Sequence, residues 1–113
     1  MYSKLDRKRI RKLADTAHER LLLGELSKLR AGIESVENGE ISAIEMNHRI
    51  HVFHNGISRE LYKRFTGSAS EFAVFRAYID GALTDIDFAG ASNTIISERD
   101  QFILLHKDMQ DDA

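Results

Sequence analysis

Leu22-Leu-Gly-Glu-Leu26-Ser-Lys-Leu29-Arg-Ala-Gly-Ile33-Glu-Ser-Val36 carries aliphatic side chains at 22, 26, 29, 33 and 36, spaced 4, 3, 4 and 3. That rhythm lays five of them along one stripe of a helix, the seam of a bundle or coiled coil. Just upstream, Ile10, Leu13, Ala14, Ala17 and Leu21 form another stripe. At about 100° per residue the two stripes lie well over 90° apart. Either one long helix, from about Leu5 to Val36, presents two apolar faces to two neighbours, or the helix bends near Gly24. Two faces on one long helix invite a second copy of the chain.

Outward from this helix, Asn38-Gly39 is a C-cap stop signal. Ser42-Ala-Ile-Glu45 is a capping-box pattern that opens a second helix, from about Ser42 to Phe65. Its stripe is Met46, Ile50, Phe53, Ile57, Leu61 and Phe65. Ser68-Ala-Ser-Glu71 repeats the capping-box pattern before a third helix, from about Ser70 to Thr84, with Phe72, Phe75, Ile79, Leu83 and Ile86 in step. A last helix begins near Thr94 or Ser97 and carries Ile95, Phe102, Leu105 and Met109 on one side. No segment alternates apolar and polar residues with period two, so no strand is expected. Proline is absent, which leaves long helices unbroken. The predicted fold is all-α: an antiparallel up-and-down helical bundle of four main helices, the first the longest. The 113 residues are read as a single domain.

Composition narrows the function classes. Hydrophobic residues at 42% and charged residues at 30% describe a globular chain. There is no cysteine, hence no disulfide, thiolate ligand or Cys nucleophile. No run approaches the roughly 18 apolar residues of a membrane span, and no apolar segment follows the basic start as in a secretory signal. The expectation is a cytoplasmic protein with no membrane contact. Charge is uneven. Residues 4–12 hold Lys4, Arg7, Lys8, Arg9, Arg11 and Lys12 against Asp6, a net of +5, in a chain whose net is −2. A basic helical arm over about residues 1–20 therefore precedes an acidic body.

Three groups of residues are candidates for chemistry. Glu45, His48, His51 and His54 bring Glu-x-x-His and His-x-x-His spacings to one helix. On a straight helix neighbours in this series are about 60° apart, so they chelate pairwise but do not converge on one ion. No metal or other cofactor is expected; were a metal bound, His48, His51 and Glu45 would be its ligands. An acid–base site around the imidazoles is the enzyme alternative. A polar face of His51, His54, Asn55, Arg59 and Tyr62 flanks Gly56 in mid-helix and is the candidate binding face. Arg7, Lys8, Arg9, Arg11 and Lys12 can neutralise phosphates, though Tyr2 is the only aromatic beside them.

Arg99-Asp100 with His106 seven positions on superficially resembles the Arg-x(4–6)-His motif of HEPN-type helical ribonucleases, which would make Arg99 and His106 a cleavage pair. Lys107 and Asp108 stand where that family has small and aromatic residues. With the Arg and His content of this chain such spacings arise about once by chance, and the family is not assigned. The function expected from sequence is a small non-enzymatic interaction or regulatory module acting as a homodimer, its first helix supplying the second apolar face. An unidentified protein partner stays open, and nucleic acid is the lesser alternative.

Overall fold

The computed structural model describes residues 2–111, and side chains over residues 2–107. Among these the chain forms four helical rods and no strand. The first rod, α1, runs Lys4–Glu37 through Gly24 without a break. The second consists of α2 (Ala43–Phe53) and α3 (Arg59–Thr66), fused through a single π turn, His54–Ser58. Then come α4 (Ser70–Ile79) and α5 (Asn93–Asp111).

The ends of these rods follow local chemistry. Ser3 Oγ accepts the Asp6 N–H (3.0 Å) and starts α1. At its other end Gly39 takes φ 76°, Gly39 N–H donates to Val36 O and Glu40 N–H donates to Ser35 O. That double bond pattern with a left-handed glycine is a Schellman stop. Ser42 Oγ accepts the Glu45 N–H (3.0 Å) to open α2, whereas the Glu45 carboxylate pairs forward with Arg49 and the reciprocal half of the capping box is unused.

One expected cap and one expected boundary need correction, while α4 does begin at Ser70 as expected. The Ser68 capping box does not form: α4 starts at Ser70 behind Ala69, with no side-chain cap. And α4 ends at Ile79, not Thr84. Asp80-Gly81 repeats the Schellman stop, with Gly81 at φ 88°, Gly81 N–H on Tyr78 O and Ala82 N–H on Ala77 O. Residues 80–92 are then a loop that tucks Leu83 and Phe88 into the core. The side chain of Met109 lies outside those described.

The core sits at one end of the molecule. Ile10, Leu13, Ala14 and Ala17 from α1 meet Leu61 and Phe65 from α3, Val74 and Phe75 from α4, Leu83 and Phe88 from the loop, and Ile95 from α5. Residues 2–20 of the stretch read from sequence as a basic arm thus contribute the seam around which this body closes. A clasp fixes the loop to α1: Arg20 donates twice to the Asp87 carboxylate (2.7 and 3.0 Å) and once to Ala82 O (2.9 Å). The Thr84 N–H also donates to Asp87 (2.8 Å). These donors hold the Asp87 carboxyl down at about 2, against an ordinary 3.8.

The π turn has a geometric cause. Met46 and Phe65 both pack toward α1, Met46 against Gly32 and Phe65 stacked on His18. They are 19 residues apart, which on a uniform α-helix leaves them about 100° out of phase. A π turn absorbs one extra residue and returns them to about the same side. The paired contacts 46 with 32 and 65 with 18 also mean that this rod runs back along α1. Gly56, inside the π turn, has open space where a Cβ would be, so it marks no close helix crossing.

Candidate functional site

Beyond the body, α1 and α2 continue as a two-helix hairpin. None of residues 23–56 belongs to the core. Only Gly32 and Met46 are buried within that span, and a Cβ on Gly32 would meet Met46 Sδ at 2.7 Å. The glycine therefore brings the two helices close at a single point. The stripe at 22, 26, 29, 33 and 36 is only half used. Leu29 and Val36 turn partly toward α2, while Leu26 and Ile33 stay 45% and 46% exposed. Ile50 on α2 is 41% exposed. With Leu29, Phe53 and His54 they line an open apolar groove between the two helices, edged by Arg30, Glu34 and Glu37. Arg30 and Glu34 face each other at 3.7 Å on the rim.

The extent of this uncovered surface is unusual for the size of the chain. A compact monomer of 12.9 kDa presents about 6,300 Å²; this one presents 8052 Å². Its radius of gyration is 17.6 Å, against about 13 Å for a compact domain of this length. The long dimension is 53 Å, close to the roughly 51 Å of a 34-residue helix.

The histidine helix has a different character from the groove. Glu45 is engaged by Arg49 at 3.4 Å. His48, His51 and His54 are all exposed. Among the described residues no three His, Asp or Glu side chains gather around a point that a metal ion would fill. The polar face of His51, His54, Asn55, Arg59 and Tyr62 is solvent-facing along the π turn and α3. Among the described residues the side chains of these five make no hydrogen bond within the chain. His54 is the one that joins the groove.

Arg99 and His106 are drawn into aromatic packing. The Arg99 guanidinium lies over Tyr78 (4.4 Å) and Phe88 (4.9 Å) and donates to Asp100 (3.0 Å). His106 stacks on Phe102 at 6.4 Å. Arg99 thus works as a pin between α4, the loop and α5, while the His106 stacking lies within α5. Tyr2 also packs against the body. Its buried hydroxyl lacks a hydrogen-bond partner at normal distance, and burial beside Glu98 pushes its pKa upward.

Lys4, Lys8, Arg11 and Lys12 line the outer face of α1, with Arg7 and Arg9 on its flanks. Arg7 donates to Tyr2 O at 3.0 Å.

Sequence reasoning located the groove residues as stripe positions but did not separate covered from uncovered ones. It missed the Arg20–Asp87 clasp, for which two charges 67 positions apart give no local signal. The π turn did leave a trace, since Phe53, Ile57, Leu61 and Phe65 are spaced 4, 4 and 4 and not 4, 3 and 4. Compared with protein-family models, curated proteins and solved structures, the chain matches none.

Proposed function

We propose that the chain is a small non-enzymatic interaction module of the cytosol that works as a homodimer, and that its hairpin is the dimerisation element. The observation that carries this is the uncovered groove of Leu26, Leu29, Ile33, Ile50 and Phe53 on a hairpin with almost no core of its own. Helices of this length draw most of their stability from a packed apolar face. Among the described residues that face has no partner within the chain.

A second copy is the occupant that fits. Two hairpins related by a two-fold axis form a four-helix bundle in which each groove receives the other's Leu26, Ile33 and Ile50. The rim carries both signs, Arg30 beside Glu34 and Glu37. A two-fold partner therefore finds opposite charges, which a strongly acidic or basic ligand does not. The surface in excess of a compact monomer, about 1,700 Å², exceeds the roughly 800 Å² per partner of a standard interface. The cytosolic reading is supported by the lack of cysteine and by the lack, among the described residues, of a helix long and apolar enough to cross a membrane.

Sedimentation equilibrium over a concentration series tests this. The expected mass is twice 12.9 kDa. Leu26→Glu combined with Ile33→Glu gives a helical monomer, while Leu104→Glu with Leu105→Glu, on the exposed side of α5, leaves the dimer intact. A wild-type monomer throughout, or a dimer lost only by the α5 pair, overturns the proposal.

A further inference from the structure

The first three turns of α1 break the usual electrostatic rules for a helix. Six cations crowd residues 4–12, at the end where the helix dipole is positive and bases are unfavourable. Lys4, Lys8 and Lys12 repeat at i, i+4 and i+8, and Arg7 and Arg11 at i, i+4, so like charges neighbour each other along the surface. Elsewhere most bases are neutralised: Arg20, Lys28, Arg30, Arg49, Arg64, Arg76 and Arg99 sit in ion pairs, while among the described residues Arg59 and Lys63 do not. Among the described residues none of the six cations of 4–12 does. Asp6, the acid in their midst, is buried on the core side. Local choices that oppose the fold around them mark functional positions.

We propose that this face binds the sugar–phosphate backbone of duplex nucleic acid, independently of base sequence. The opposite side of the same helix is clamped in the core through Ile10, Leu13, Ala14 and Ala17. The charged row is therefore held rigid before any ligand arrives, and little ordering entropy is lost on binding. From Lys4 to Lys12 the helix rises about 12 Å, the span of three to four phosphates along one strand. Asp15 and Glu19 close the row at the next turns.

The chemistry around the row selects among polyanions. Among the described residues the one aromatic in this stretch is Tyr2, half-buried against the body with its hydroxyl covered. That removes the stacking platform a single strand needs. Leu5 is the exposed apolar side chain in the stretch, at 77%, and the other apolar residues of these turns face the core, so little enters a lipid interface. The acidic remainder of the chain extends along a 53 Å axis, and charges more than about 8 Å away are largely screened at physiological salt. This inference does not depend on the dimer. The groove lies toward the other end of α1, and dimerisation only adds avidity.

Fluorescence anisotropy with a labelled duplex DNA of arbitrary sequence tests it, on wild type and on the hairpin monomer variant. Binding is expected at low salt in both, with log K falling against log salt at a slope of about −3 to −4. Lys4, Lys8, Arg11 and Lys12 changed together to Ala keep the helix, as circular dichroism checks. They are expected to weaken binding about tenfold or more, while Lys28→Ala with Lys63→Ala leaves it unchanged. No binding at low salt, equal loss in the control pair, tighter binding of single strands, or binding to phosphatidylserine vesicles without binding to duplex would each overturn the proposal.

Discussion

The body and the hairpin use the same materials to opposite ends. Both are built from α1 and the rod that returns along it, and both carry heptad-like aliphatic stripes. In the body, α4, the 80–92 loop and α5 close over the stripe, so Phe75, Leu61 and Ile95 are almost wholly buried. In the hairpin none of the described residues closes over Leu26, Ile33 and Ile50. An apolar stripe thus records that a helix face is to be covered, not by what. The covering elements decide whether it becomes core or interface.

The sharpest way to break this contrast is to damage each half and ask which signal follows. Phe75→Ala, in the body, is expected to cost about 3–5 kcal/mol and to lower the midpoint of cooperative chemical unfolding whatever the protein concentration. Gly32→Val, in the hairpin, forces a side chain against Met46 Sδ. It is expected to cost about 1–3 kcal/mol, seen as weaker dimerisation and faster amide exchange over residues 23–56, with protection in α4 unchanged. Equal loss of protection in both halves would show them to be one cooperative unit.

Asp87→Ala removes the clasp between loop and α1. A cost of about 1–2 kcal/mol is expected, discounted because the Arg20 side of the pair is half in water. The pH dependence has a definite sign. A carboxyl held at about 2 against 3.8 stabilises the fold fully above its ordinary range and loses that contribution as pH falls through about 2. The difference between wild type and Asp87→Ala in urea unfolding is therefore expected to be constant near neutrality and to shrink between about pH 4 and pH 2. The smallest effect sharpens the comparison from the other side. Gly24 lies in mid-helix with open space at its Cβ position. Gly24→Ala is expected to stabilise by about 0.5–1 kcal/mol, read as a modest rise in melting temperature with no change in dimer affinity.

How much of this was legible in the sequence follows from what each residue depends on. Asn38-Gly39 and Ser42 could be read because their hydrogen bonds close within a few residues. Asp80-Gly81 uses the same stop, yet the apolar period continues past it through Leu83, and a residue buried from a loop looks like one more turn of helix. Ser68 offered an equally good cap, but the helix starts two residues later. At the candidate site, Leu26 and Leu29 read alike in sequence, three positions apart on one seam. Only the position of α2, fixed by the contact of Gly32 with Met46, leaves Leu29 half-buried and Leu26 at the surface. The basic row was legible as composition. Its lack of counter-charges was not, because that depends on where every acid of the folded chain ends up.

The π turn sets the rotational phase between the two halves. Were the same residues to wind as a regular α-helix, with no π turn, everything before it would be carried round by about 100°. Met46 would swing off Gly32, and the greasy trough would open toward another quarter of space. Whether one turn takes up an extra residue would then redirect the proposed assembly while leaving composition and length as they were. In the proposed dimer, the orientation in which two copies meet follows from how that one surplus residue is wound.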